Sequence, residues 1–143
     1  MSNLSMFLKK NKKVRSNAFY PASTSFVDDK GKPIMWEVRP ITTAEDELIR
    51  DECMIEVPVS GKKGQYRTKI DVNAYMAKQM VAAIVFPDLN NAELQNSYGV
   101  MTPEELLKEM IDNPSEYMDF ANFIRENSGF DTDLTKEIEE AKN

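Results

Sequence analysis

Few residues of this chain have the type and spacing that chemistry requires. The sequence contains no histidine and one cysteine, Cys53. Ser-His-Asp and Cys-His nucleophilic systems are therefore ruled out, as are zinc sites built on those ligands. Cys53 follows Leu48 and Ile49 at helical spacing, and with no imidazole to activate it the thiol reads as a small buried hydrophobe. Gly61 and Gly64, with Lys62 and Lys63 between them, suggest a phosphate loop. A Walker loop, however, needs four residues between its glycines and then Lys and Ser/Thr. The pairs Asp28/Asp29 and Glu104/Glu105 have structural duties in a turn and at a helix start. Asp131 and Asp133 lack the Asp-x-Asp-x-Asp-Gly pattern and closing Glu of a calcium loop. Only an acid–base site of Asp, Glu, Lys or Tyr is left open by composition. The expectation is a protein without catalytic, cofactor or metal residues, one that acts by binding.

Composition sets the class. At 143 residues, 41% hydrophobic and 29% charged, the chain has the size and balance of one globular domain. Its longest apolar runs, near residues 80–86 and 106–111, fall far short of the roughly 20 residues of a membrane span. No signal-peptide pattern opens the sequence, and one unpaired cysteine suits a reducing compartment, so a cytoplasmic location is expected. The net charge of −6 conceals an asymmetry, because Lys9, Lys10, Lys12, Lys13 and Arg15 precede every acid. Without those five, 13 basic and 24 acidic residues remain, a net charge of −11. So acidic a body disfavours nucleic acid as partner.

These patterns divide the chain into a basic arm read as flexible (1–25), one globular domain (26–130) and an acidic amphipathic helix or tail (131–143). Within the arm, Met6-Phe7-Leu8 is either free or docked on the core. Asp28 to Pro33 is turn chemistry, and Ile34, Trp36 and Val38 then alternate as on a half-buried strand, with Trp36 as a core anchor. A Thr42-x-x-Glu45 capping box opens a helix that is predicted to run to Val57-Pro58. Residues 59–70 read as a hairpin tip with a returning strand at 66–70. Asp71 caps a nearly all-apolar core helix predicted to end near Phe86, ahead of Pro87. Asn90 or Asn91 starts a short helix that Gly99 closes, and Thr102-Pro103-Glu104-Glu105 starts the next. Asn113-Pro114 opens the last helix, which buries Tyr117, Met118, Phe120, Ala121, Phe123 and Ile124 and ends at Gly129 with Phe130 packed back. The fold expected is α+β, mainly α-helical, with a small N-terminal antiparallel hairpin on a helical core.

Three blocks in this order resemble the XkdN-like phage tail assembly chaperones: Met6 to Lys12, Asp28 to Thr42, and Pro87 to Val100. Leu106-Leu107, Glu116-Tyr117 and Gly129-Phe130 follow in matching order. The resemblance implies a non-enzymatic phage or prophage tail protein, without cofactors, that holds the tape-measure protein soluble and helps recruit tail-tube subunits. A structural connector or completion protein retained in the virion is the alternative. Self-association is left open. Met76, Met80, Met101, Met110 and Met118 offer either an adaptable groove or core packing. Leu89, Leu94 and Tyr98, apolar among polar neighbours, are predicted either to contact a partner or to close the core. Lys9, Lys10, Lys12, Lys13 and Arg15 are a second set, suited to acidic partner segments or simply solvated.

Overall fold

Trp36 and Val38 point the same way from their strand because side chains alternate along extended backbone. In the computed structural model, which describes residues 3–130, both lie in the centre of the core. Their strand, β2 (Trp36–Val38), is the middle of a three-stranded antiparallel sheet between β1 (Ala18–Tyr20) and β5 (Ile84–Phe86). Ala18 pairs with Val38 and Tyr20 with Trp36 on one side, and Ile84 pairs with Val38 on the other. The expected hairpin is thus only partly present. Its turn exists, with a single bridge between Val27 and Pro33, but the strand partners come from further away in sequence. Residues 18–25, placed in the arm above, contribute β1 and two buried residues, Ala22 and Ser23. Strand pairing satisfies backbone groups that Trp36 and Val38 carry into the core.

Two helix ends differ from expectation for the same reason. Helix α1 (Thr43–Glu52) has the complete Thr42/Glu45 capping box but stops at Cys53. Strand β3 (Met54–Pro58) follows and pairs with β4 (Tyr66–Ile70) over five registered residues. Helix α2 (Val72–Ala83), capped by Asp71, stops three residues earlier than predicted, and Ile84-Val85-Phe86 becomes β5. Both extensions contain β-branched residues that fit a pleated sheet, and a residue before proline, as Phe86 is, favours extended backbone. The returning strand at 66–70 is where it was expected.

The C-terminal half follows its caps. Helices α3 (Ala92–Ser97), α4 (Pro103–Met110) and α5 (Pro114–Ser128) start at Asn91, Thr102 and Asn113, each side chain accepting a hydrogen bond from a first-turn amide. Gly129 takes the left-handed conformation, φ 92°, that ends α5. Buried Leu106 and Leu107 from α4 and Phe120, Ala121 and Ile124 from α5 meet α2 and the inner face of the sheet. Tyr20 stacks on Phe120 and Phe123 with ring centroids 5.5 and 4.4 Å away, and Trp36 meets Phe120 edge-on at 5.5 Å. Trp36 is the core anchor expected of it. The result is an α+β fold, mainly helical. Residues 131–143, read above as a helix or tail, lie outside the described residues.

Candidate apolar cleft and basic arm

Asp28 Oδ1 accepts from the amides of Lys30 (2.8 Å) and Lys32 (3.0 Å), and the Ile34 amide donates to the Phe26 carbonyl at 2.8 Å. This turn holds Phe26 and Ile34 side by side. Opposite them, Asn91 caps α3, and Gln95 Nε2 donates to the Leu89 carbonyl at 2.8 Å. Leu94 and Tyr98 are thereby fixed facing the turn. Between the two walls lies a cleft of about 210 Å³, floored by Trp36 and Met110 and bordered by Phe86 and Pro87. A second hollow on the far side of Leu94 and Phe86 is edged by Asp88 and Glu93. Phe86 is 55% exposed. Across the sheet it shares an outward row with Glu37 and Phe19, which is also exposed.

The three apolar residues singled out by sequence are therefore not equivalent. Leu89 is fully buried and belongs to the core; its backbone carbonyl, not its side chain, serves the cleft. Leu94 and Tyr98 are half-buried, packed on the core with one side on the cleft. Sequence missed Phe86, because it was read as the last turn of a helix, and missed Phe26 and Ile34 because only the turn brings them to α3. Of the methionines, Met76, Met80 and Met110 are core, while Met101 and Met118 are exposed.

The basic set also separates into two roles. Two short 3-10 turns, Asn3–Phe7 and Lys9–Asn11, contain no buried residue, so Met6-Phe7-Leu8 stands exposed instead of joining the core. Lys9, Lys10, Lys12 and Lys13 are exposed. Arg15 is a clamp. Its Nη1 donates to the Ser128 carbonyl at 2.7 Å and its Nη2 to the Ile41 carbonyl at 2.9 Å, satisfying one of the orphan carbonyls at the end of α5. Ser128 Oγ in turn accepts from the Ile41 amide at 2.8 Å. A cavity of about 380 Å³ opens beside the clamp, lined by Lys12, Arg15, Thr42, Asp46, Gly129 and Phe130. It adjoins another of about 330 Å³ bounded by Lys9, Lys12, Lys13 and Val14.

A buried polar network was not anticipated. Asp46 is its centre: Oδ1 accepts from Tyr75 Oη (2.6 Å) and Gln79 Nε2 (3.1 Å), and Oδ2 accepts from Arg50 Nε (3.2 Å). Gln79 Oε1 accepts from Arg125 Nη1 at 2.6 Å. The network ties α1, α2 and α5 together under the basic arm. Burial first, then the Asp46 hydrogen bond, pushes the Tyr75 hydroxyl up to about 12, and burial lowers Arg125. Arg125 also stacks on Phe130, 4.7 Å from the ring centroid, so Phe130 packs back as expected. Cys53 is buried, and desolvation raises its thiol further from reactivity. Among the described residues, no helix is long and apolar enough to cross a membrane and no three Cys, Asp or Glu gather where a metal could sit.

Fold and cleft define a class: a small, mainly helical α+β protein that presents an open apolar cleft walled by side chains without catalytic character. The family model of the phage XkdN-like tail assembly chaperone proteins matches residues 4–142. The phage-like element PBSX protein XkdN of Bacillus subtilis (strain 168) is 33% identical over 125 residues, covering 86% of this chain and 82% of that one. The uncharacterized protein YqbN of the same strain is 32% identical over 125 residues, covering 86% and 81%. A crystal structure of the protein YqbN superposes with a TM-score of 0.74 at 24% identity, over 92% of this chain and 99% of that one, which shows the shared fold. The chain belongs to the XkdN-like phage tail assembly chaperone family, which is not a class of enzymes.

Proposed function

We propose that this tail assembly chaperone binds the tape-measure protein, keeps it soluble and helps recruit tail-tube subunits, and that the Phe26–Tyr98 cleft receives apolar side chains of the tape measure. The observation that carries the reading is the open cleft with Phe86 more than half exposed at its rim. A long helical protein before assembly exposes apolar stripes, and a helix laid in a groove buries such stripes at spacings of three and four residues. Covering one aromatic side chain is worth about 1.5–3 kcal/mol. The cleft and the outward row from Phe86 to Phe19 offer adjacent apolar ground for more than one such residue.

Co-expression with the tape-measure protein, followed by pull-down and a solubility comparison, tests this. The native chain should solubilise and co-purify with it, and tube subunits should join the complex. Phe86→Asp should weaken binding about tenfold or more, equivalent to about 1.4 kcal/mol, while leaving circular dichroism unchanged. Tape measure that stays insoluble with the native chain, or binds Phe86→Asp at native strength, overturns the reading.

A further inference from the structure

We propose that the segment received by the cleft is a cationic amphipathic helix, whose apolar anchor enters the cleft while a Lys or Arg one turn away reaches Asp88 and Glu93. This rests on the cleft being the tape-measure site proposed above. Two hollows lie back to back across a ridge made by Phe86 and Leu94, which line both. The cleft itself, about 210 Å³, is lined only by apolar and aromatic residues. It is smaller than the roughly 300–1,000 Å³ of a small-molecule site, and so suits a single protruding side chain. The hollow across the ridge, about 470 Å³, is edged by Asp88, Asn91, Glu93 and Ser97.

The polar groups of that second hollow decide the sign of what enters it. Asn91 Oδ1 accepts from the Leu94 amide at 2.9 Å, and Ser97 Oγ donates to the Leu94 carbonyl at 2.7 Å. Asp88 Oδ1 accepts from the Asn90 amide at 3.0 Å, which leaves its Oδ2 and the Glu93 carboxylate as open acceptors. Both residues are exposed, and among the described residues neither is in an ion pair. No Lys or Arg lines either hollow, and the sequence has none between Lys78 and Lys108. Open carboxylates are matched by a cation rich in N–H donors, and the acidic body attracts one from further off. Helical spacing supplies the reach. Residues three or four apart on a helix share a face, with Cβ atoms about 5–6 Å apart, so an anchor in the cleft sets its neighbour over the ridge. The aliphatic stem of Lys or Arg lies well on apolar surface with its head in water, and the exposed Phe86 ring adds a cation–π face. An acidic residue in that position would meet two like charges, so the ridge discriminates among apolar stripes.

The test is competition, in which tape-measure protein co-purified with fluorescent native chain is challenged with unlabelled full-length variants. Asp88→Asn with Glu93→Gln removes both charges while keeping side-chain shape and an acceptor for the Asn90 amide. This variant should compete about three- to tenfold more weakly than native chain at about 50 mM salt, and equally at about 500 mM, where surface charges are screened. Equal competition at low salt, or a deficit that persists at high salt, overturns the proposal. Ile34→Asp, on the opposite and partly exposed wall, tests the cleft alone and should compete about tenfold more weakly at either salt concentration. Weak competition by Ile34→Asp together with native competition by the neutralised pair keeps the cleft and removes its cationic occupant. Native competition by Ile34→Asp removes both.

Discussion

Removing the Tyr75 hydroxyl probes the buried network most directly. Tyr75 Oη donates to Asp46 Oδ1 over 2.6 Å, the length of a charge-assisted O–H···O⁻ bond. A hydrogen bond to a charged group contributes about 1.5–3 kcal/mol, so Tyr75→Phe should cost about 2 kcal/mol in urea unfolding followed by circular dichroism. Asp46→Ala removes the acceptor shared by Tyr75, Gln79 and Arg50 and should cost about 3–5 kcal/mol, the range for breaking a buried charged set. Once Asp46 is gone, the hydroxyl has lost its acceptor, so the double variant should be less damaged than the two singles predict, with a coupling of about 1.5–2 kcal/mol. The pH dependence supplies an independent check. Tyr75 is raised from its ordinary value to about 12, so its contribution is complete below about pH 10 and is lost as pH rises from about 10 to 12. Tyr75→Phe should remove that part of the alkaline slope. Single-variant costs that add within about 0.5 kcal/mol, with an unchanged alkaline slope, would refute the idea that Asp46 and Tyr75 act as a unit.

At acid pH the informative residue is Glu45, held at about 2 mainly by the Arg39 guanidinium and further by Thr42. A depressed carboxyl stabilises the fold above its unfolded pKa, so this contribution should disappear as pH falls from about 4.5 to 2. The pair is partly solvated, so the contribution is set at no more than about 1 kcal/mol. Glu45→Gln should be less stable than the native protein at pH 7 and should match it near pH 2; an unchanged difference across that window contradicts the assignment. For the clamp, Arg15→Ala should lower stability by about 1–2 kcal/mol through the Ser128 and Ile41 carbonyls. Deleting residues 1–14, which include the two unburied 3-10 turns, should change it by less than about 0.5 kcal/mol. Equal losses in thermal unfolding would show that Arg15 is no clamp.

Local chemistry was sufficient wherever a residue acts on its own neighbours. The caps at Thr42, Asp71, Asn91, Thr102 and Asn113 and the left-handed closure at Gly129 need only a few adjacent groups, and all stand where the sequence places them. Trp36 and Cys53 were legible as core residues from periodicity alone. Tertiary structure decided everything that required a distant partner. Ile84-Val85-Phe86 continues an apolar helical pattern, but Val38 and Glu37 capture it as a strand. Phe26 and Ile34 become half of a cleft only when α3 arrives opposite them, and the short turn that fixes them gives no hint of it. The charge of Asp46 reads as surface chemistry until Tyr75 and Gln79 close over it. Arg15 looks like one more lysine-like cation until two carbonyls, one from Ile41 and one from Ser128, are brought within reach of its guanidinium. Backbone and polar groups taken out of water must find partners, and which partner is nearest is a property of the folded chain.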